Sequence, residues 1–136
     1  MTPVSFPLRI GELARRSGVP VKTLRYYEDL GLLPAEERSS GGFRLFGPDA
    51  LQRLAFIRRL KHLGLSLEEI RLCLAAHDQG RLPCQDIQQQ LIRQIDQVDT
   101  RLQELQQLKQ ELQTLLSHWD SQPVADNNVI CPNLQV

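Results

Sequence analysis

The chain has 136 residues, 41% hydrophobic and 24% charged, which suits one globular domain or one small domain with an appendage. It has no run of about 18 apolar residues and no charged-then-apolar leader, so we expect neither a transmembrane helix nor export, and a cytoplasmic location. The formal net charge is zero, but residues 1–72 hold 12 Lys/Arg and 8 Asp/Glu while residues 73–136 hold 4 and 8, so a polyanionic partner is expected for the front half alone.

Two short helices are predicted near the start of the chain. In "LRIGELARRSGV" the apolar residues recur at helical spacing, and Gly18 ends the pattern. In "PVKTLRYYEDLGLL" a second helix restarts at Pro20 and ends at Gly31, a natural helix terminator. Two short helices joined by a tight turn are typical of a helix-turn-helix.

The next segment, "PAEERSSGGFRLFGPDA", predicts a small β-hairpin, or wing. Residues 39–42 are turn-forming, and in the brief strand-like stretch that follows Phe43 and Leu45 alternate with Arg44 and Phe46. Gly47 closes the hairpin, and Pro48 opens the following helix.

Three consecutive residues of the second helix, Arg25, Tyr26 and Tyr27, point in three directions, so they cannot all face one core. Part of this cluster is expected to be exposed, with one tyrosine packed inward. The second helix of a helix-turn-helix enters the major groove, where arginine binds phosphate or a guanine edge and tyrosine donates to phosphate. The candidate DNA contacts are Arg15, Arg16, Lys22, Thr23, Arg25, Tyr26, Tyr27 and Arg44. The alternative is a solvated helix with one tyrosine in the core.

Two more helices are predicted after the wing. From about 48 to 63 the apolar residues recur at helical spacing. Ser66, followed three residues later by Glu69, forms a capping-box pattern that opens a helix expected to end near Ala76. Residues 77–83 are then a linker.

From Cys84 to about Trp119 the chain contains neither Gly nor Pro, which predicts one long helix. Two apolar rows follow it at heptad spacing, with a break at Lys109 in the second row. The first row is Leu91, Val98, Leu105, Leu112 and Trp119, and the second is Ile95, Leu102 and Leu116. One helix cannot bury this stripe alone, so we expect an antiparallel coiled coil across a homodimer. The alternative is that the helix packs back on the front domain.

These patterns predict a mostly α fold, in which a winged helix-turn-helix DNA-binding domain precedes a long dimerisation helix. The expected divisions are a DNA-binding domain at 1–76, a linker at 77–83, a dimerisation helix at 84–119 and an effector-binding loop with a closing segment at 120–136.

The motifs R-Y-Y-E, G-L-L-P, G-G-F-R-L-F and L-G-x-S-L-E-E-I resemble the MerR family of transcription regulators over residues 8–72. The linker, the long helix and the closing I-C-P-N-L-Q resemble its heavy-metal-responsive branch. The resemblance implies a winged helix-turn-helix, dimerisation through the long antiparallel helix and an effector site at the helix ends. It also implies a mechanism: the dimer binds double-stranded promoter DNA with an over-long spacer, and the effector-bound form twists the DNA until RNA polymerase can use it.

The three cysteines are too few and too irregularly spaced for a disulfide framework, and Cys73, between two leucines, is expected in the core. Cys84 opens the long helix, where the helix dipole favours a thiolate. In an antiparallel dimer the start of one long helix lies near the end of its partner, so Cys84 of one chain can meet Cys131 of the other. The resemblance implies that these two positions carry metal ligands in mercury and zinc sensors. The alternative is that both are small buried side chains.

The third ligand is where this sequence departs from the branch, which has cysteine at the position of Trp119. Tryptophan cannot bind a metal, but neighbouring His118 and Asp120 are chemically able to. Two Cys with His118 favour a zinc-like divalent ion, whereas two Cys alone favour mercury or copper(I). The expected cofactor is therefore a thiophilic metal ion of the zinc, mercury or copper type.

The leading hypothesis is a dimeric DNA-binding transcription regulator that responds to such a metal. The alternative within this class is a regulator that responds to thiol oxidation, to electrophiles or to no effector. A more remote alternative is a helical dimeric scaffold or interaction protein. An enzyme is not expected, because the sequence contains no paired carboxylate–His or nucleophile motif and no phosphate-binding Gly loop.

Overall fold

The structure is a computed structural model that describes residues 6–35 and 37–135. In chain order the elements are β1 (Leu8–Arg9), α1 (Ile10–Ser17), α2 (Val21–Asp29), β2 (Glu37–Arg38), β3 (Arg44–Phe46), α3 (Pro48–His62), α4 (Leu67–Asp78) and α5 (Cys84–Ser117). The predicted fold class, mostly α with a winged helix-turn-helix before a long helix, is confirmed.

The helix-turn-helix consists of α1, a three-residue turn and α2. α1 ends where the backbone of Gly18 turns left-handed, with φ +75°, and donates its N–H to the carbonyl of Ala14 at 2.9 Å. A β-carbon disfavours this conformation, which explains why glycine stands there. Leu13 of α1 and Leu24 of α2 are both fully buried and anchor the two helices on one core.

The wing belongs to a three-stranded antiparallel sheet in the order β1-β3-β2. Leu8 pairs with Phe46 in β3, and Arg38 in β2 pairs with Arg44. The predicted hairpin is therefore present, but the sequence did not predict β1. A two-residue strand has no alternation to detect, and it forms because β3 offers it a partner edge.

A single core fills the N-terminal part of the chain. Its fully buried members with the largest side chains are Phe46, Leu13, Leu24, Leu32, Leu33, Ile57 and Ile70. Arg53 is also buried, and all three of its guanidinium nitrogens donate hydrogen bonds. It donates to the carbonyl of Leu32 at 2.9 Å and to both carboxylate oxygens of Asp78 at 2.6 and 3.3 Å. The arginine joins the end of the helix-turn-helix to the end of α4 across α3.

The predicted start of α4 is present. The Ser66 hydroxyl accepts a hydrogen bond from the Glu69 N–H at 3.1 Å and contacts the Glu69 carboxylate at 3.1 Å. α4 continues to Asp78, two residues past the expected end at Ala76, so the connection to α5 is shorter than residues 77–83.

The chain divides into two compact units, one ending at Gln94 and the other beginning at Ile95. The N-terminal unit therefore includes the first turns of α5. There Ile87 and Leu91 pack against the core and Gln90 is buried, so this part of the long helix does pack on the front domain. α5 ends at Ser117, two residues before the predicted end at Trp119.

The C-terminal unit contains the rest of α5 and a closing segment made of turns. Asp120 and Asn133 exchange two hydrogen bonds, at 2.8 and 2.9 Å. The Gln135 side chain accepts the N–H groups of Ile130 and Cys131 at 2.6 and 2.8 Å. A turn follows Cys131, whose carbonyl accepts the N–H groups of Leu134 and Gln135 at 3.1 Å each. Val136, the last residue of the expected closing segment, lies outside the described residues.

None of the helices in the described ranges is long and apolar enough to cross a membrane.

Candidate nucleic-acid interface

The two tyrosines of α2 have different environments. Tyr26 is 52% exposed, whereas Tyr27 is 6% exposed and lies in the core, with the ring centroids 6.5 Å apart. Tyr27, named above as a candidate DNA contact, is therefore a core residue, because it lies one turn from Leu24 and shares its buried face. Arg25 and Tyr26 remain on the exposed face of α2.

An ion pair joins α2 to the wing. Arg44, the first residue of β3, places Nη1 2.5 Å from Oε2 of Glu28 in α2. The Glu28 side chain is only 8% exposed, while that of Arg44 is 42% exposed. Glu28 was not predicted as a functional residue, since its partner is 16 residues away. The pair holds the two candidate DNA-contacting elements as one surface.

Arg15 and Arg16 are both paired with Glu12 on α1. Arg15 Nη2 donates to the two carboxylate oxygens at 2.8 and 2.7 Å, and Arg16 Nε donates at 2.9 Å. The hydrogen bonds from Arg15 and then Arg16 lower the pKa of the Glu12 carboxyl, which keeps it ionised. Both pairs are at the surface, so exchanging Glu12 for a phosphate costs little.

A hollow of about 270 Å³ lies at the N-terminal end of α2. It is lined by Gly18, Val19, Pro20, Thr23, Tyr27, Leu54, Ile57, Arg58 and Lys61. The N-cap residue of α2, Pro20, makes no side-chain hydrogen bond to the first N–H groups of the helix, and two cations from α3 line the same hollow. Such an end is suited to an anion. Arg58 and Lys61 were not among the predicted DNA contacts, although the basic residues clustered in the last turns of α3 are visible in the sequence.

Arg9 packs against Phe43 of the wing through a cation–π contact. Its guanidinium lies 4.7 Å from the centroid of the Phe43 ring, and Phe43 is 57% exposed. The turn itself is closed by Ser39, whose N–H donates to the Phe43 carbonyl at 2.7 Å and whose hydroxyl accepts the Phe43 N–H at 3.1 Å. The wing is thus a defined loop beside Arg44.

The three cysteines lie in three environments. Cys73 is buried, its thiol donates weakly to the Gln90 carbonyl oxygen at 3.9 Å, and burial raises the pKa of the thiol. It is a core residue, as expected. Cys84 is exposed at the first position of α5, and Cys131 is half-buried in the closing segment.

The candidate metal ligands belong to the two different units of the chain. His118 is exposed just after α5, in the C-terminal unit with Cys131, whereas Cys84 belongs to the N-terminal unit. Residues 6–35 and 37–135 contain no group of three or more His, Cys, Asp or Glu side chains placed to hold a metal ion.

The environments of the thiols predict their reactivity. At pH 8 we expect iodoacetamide to alkylate Cys73 at least about tenfold more slowly than Cys84, because burial both blocks access and lowers the thiolate fraction. Timed quenching followed by mass spectrometry of the peptides measures both rates. In urea the two rates should become similar, and equal rates in the native protein would contradict the core assignment.

Comparison with known proteins finds matches over the helix-turn-helix, the wing and most of α5. The family model for the MerR HTH family regulatory protein matches residues 8–77, and the model for MerR DNA binding matches residues 51–115. A mercuric resistance operon regulatory protein from Bacillus cereus is 37% identical over 107 residues, which are 79% of this chain and 81% of that protein.

Two solved structures are similar to this one. A transcription regulator from Ralstonia metallidurans in complex with lead(II) superposes with a TM-score of 0.75 at 40% identity, covering 85% of this chain and 91% of the other. A MerR family regulator lacking the sensor domain, bound to promoter DNA, superposes with a TM-score of 0.55 at 27% identity, covering 82% and 89%. The family models match more than half of the chain, and the chain therefore belongs to the MerR family of transcription regulators.

Proposed function

We propose that the chain binds promoter DNA as a homodimer, with α2 in the major groove and the β2–β3 wing beside it. The observation that carries this proposal is the ion pair between Arg44 and the nearly buried Glu28, which makes the wing and the exposed face of α2 one surface. Two such surfaces in a two-fold dimer suit two half-sites in successive turns of the duplex. The relative bound to promoter DNA supports this mode of binding.

Within that surface the side chains divide by role. Arg25 is suited to a guanine edge or a phosphate, and Tyr26 to a phosphate through its hydroxyl. Lys22, Thr23 and the N–H groups at the start of α2 are suited to a phosphate, with Arg58 and Lys61 adding positive charge. Arg15 and Arg16 contact the DNA backbone by exchanging their ion pairs with Glu12 for phosphates.

Substitution of the exposed arginines tests the DNA surface. If Arg25 contacts a base, we expect Arg25→Ala to weaken promoter binding by about 1–3 kcal/mol. If it contacts a phosphate, the substitution should reduce the slope of log affinity against log salt concentration by about one unit. Fluorescence anisotropy on a promoter duplex at several salt concentrations measures both quantities. Arg101→Ala, an exposed arginine on α5 outside this surface, is the matched control and should leave both unchanged.

Arg44→Ala has a second effect, since it leaves the Glu28 carboxylate without its cation in a nearly buried position. We therefore expect lower thermal stability together with weaker binding. The double variant Glu28→Gln/Arg44→Ala should recover stability but not affinity. Full recovery of affinity would mean that Arg44 only supports α2.

We propose that the homodimer forms through the exposed apolar rows of α5. From Ile95 onward these side chains are about half exposed or more in a single chain, including Val98 at 57%, Leu105 at 49% and Leu112 at 51%. A stripe of this length on an isolated helix is unfavourable in water, and an antiparallel partner helix buries it.

The effector we propose is a thiophilic metal ion. Relatives of this chain include a mercuric resistance regulator and a regulator in complex with lead(II). In an antiparallel dimer, Cys84 of one protomer and Cys131 of its partner supply two soft thiolate ligands, which is the donor set that such ions prefer. Two thiolates alone favour a linear ion such as mercury or copper(I), and His118 as a third ligand favours a zinc-like ion. Trp119 supplies no ligand in either case.

The proposed response is a change in promoter geometry. Because the metal links one protomer to its partner, it favours one dimer geometry over another, and only this difference in affinity shifts the equilibrium. Contacts from both DNA-binding surfaces then supply the few kcal/mol needed to distort an over-long spacer so that RNA polymerase can use the promoter. A protein with this role acts in the cytoplasm.

Specific retention of the chain on its promoter in competitor DNA, followed by transcription with and without metal, tests the proposal as a whole. No retention at low salt would instead favour the dimeric scaffold. Retention with a response to peroxide but not to metal would favour thiol oxidation, for which the exposed Cys84 is the natural target.

A further inference from the structure

The first turns of α5 are attached to the rest of the N-terminal unit through one helix face. Ile87, Gln90, Leu91 and Gln94 recur at the three- and four-residue spacing that places them on the same side. Ile87 and Leu91 pack against the core, and Gln90 is 6% exposed. α5 is thus docked by two apolar and two amide side chains.

Gln94 makes a long-range polar contact at the end of this face. Its side-chain amide donates to the backbone carbonyl of Leu63, at the end of α3, over 3.1 Å and across 31 residues of sequence. Since a carbonyl only accepts, the NH₂ group of Gln94 must face it. The amide therefore supplies a hydrogen bond to one of the carbonyls at the end of α3 that have no partner within the helix.

The turn between α3 and α4 is shaped to receive this amide. Gly64 follows Leu63 with φ +93°, and a β-carbon there would overlap Nε2 of Gln94. Any other residue at this position would be strained and would also displace the glutamine. The hydrogen bond from Gln94 therefore depends on residue 64 having no side chain.

We propose that Gln94 is a positioning residue that fixes the orientation of α5 on the α3–α4 turn and thereby determines how each DNA-binding surface is presented in the dimer. The inference rests on the homodimeric DNA binding proposed above, but not on the metal. The same continuous helix carries the proposed dimer stripe, so its docked turns connect that stripe to the helices that support α2.

The apolar contacts cannot perform this role alone. Burial of Ile87 and Leu91 holds the helix in place but is non-directional, whereas a hydrogen bond requires a defined distance and angle. Gln90 provides little direction, because its described partner is the weakly donating Cys73 thiol at 3.9 Å. The directional restraint therefore falls on Gln94.

The spacing between half-sites provides a test. A duplex that binds the full-length parent is selected from a random-sequence library, and versions are made with one or two base pairs added or removed between its half-sites, together with a single half-site duplex. We expect Gln94→Met to reduce the discrimination between spacings about fivefold, the equivalent of one neutral hydrogen bond. Affinity for the single half-site and the melting temperature should stay near the parental values.

Three further variants separate positioning from simple support. Gly64→Ala should reproduce the loss by displacing the amide, and Gln94→Lys should retain most of the discrimination because it keeps a donor. Gln88→Met, an exposed glutamine of the same helix, should behave like the parent.

Parental discrimination in Gln94→Met would overturn the inference, as would an equal loss of affinity for the single half-site. If Gly64→Ala fails to fold, the Gln94 variants still decide the question. A parent that binds all spacings equally would overturn the proposed dimeric recognition, and this inference with it.

Discussion

Replacing Cys84 or Cys131 with serine is expected to abolish the metal-dependent promoter response while leaving promoter affinity unchanged. Each substitution removes one of two proposed thiolate ligands, and a hydroxyl is a poor ligand for a thiophilic ion. DNA binding should persist because Arg25, Tyr26 and Arg44 lie on α2 and β3, whereas the two thiols belong to other segments of the chain. Run-off transcription across a metal titration, with anisotropy on the same duplex, measures the two properties.

The pH dependence of metal binding is a second readout of the same site. Both thiols must lose their protons to bind, so binding releases protons and weakens as pH falls. Titration calorimetry of the reduced dimer in buffers of different ionisation enthalpy counts the protons released. Cys73→Ala is the matched control, since it removes a thiol that is buried in the core.

His118→Ala distinguishes the two kinds of metal. A zinc-like site should lose most of its affinity when a third ligand is removed, whereas a linear two-thiolate site should change little. If Cys84→Ser responds to metal like the parent, the metal hypothesis fails and Cys84 is simply an exposed residue at a helix start.

The double variant Val98→Asp/Leu105→Asp is expected to be monomeric. Both positions lie in the apolar rows of α5 and are exposed in a single chain, and in the proposed dimer a partner helix buries them. Burying an unpaired carboxylate costs several kcal/mol, and a symmetric dimer contains each substitution twice. Sedimentation should give the mass of one chain, 15.6 kDa, where the parent gives twice that value.

Gln107→Asp is the matched control for this experiment. Gln107 is exposed on the same helix but outside both apolar rows, so the new charge should leave the dimer intact. The N-terminal unit of the double variant should keep its melting temperature, because the packed part of α5 ends at Gln94. A stable dimer carrying both substitutions would show that the two chains associate through another surface.

Several features of this protein followed from the sequence because their causes are local. Gly18 and Ser66 act within one turn of themselves, the first as a left-handed terminator and the second as a cap, and both helix boundaries lie where those residues predicted them. The heptad spacing along α5 likewise predicted a long helix with an apolar stripe interrupted at Lys109, since that periodicity is a property of consecutive residues.

The inward position of one tyrosine was also within reach of the sequence. Once Leu24 is assigned to the core, the residue three positions later shares its face, and that residue is Tyr27. The expectation that one tyrosine packs inward did not say which of the two it is, so Tyr26 and Tyr27 both stood as candidate DNA contacts.

Contacts between distant residues were decided by the tertiary structure alone. Strand β1 forms because it pairs with the edge of β3, and a two-residue strand is too short to show an alternating pattern in the sequence. The partners of Arg53, Arg44 and Gln94 lie 25, 16 and 31 residues away. Many arginines and glutamines in this chain have the same chemistry, so composition and spacing cannot say which will pair. Only the packing of α3, α4 and the wing brings one donor within hydrogen-bonding distance of one acceptor, and distance and angle then select the pair.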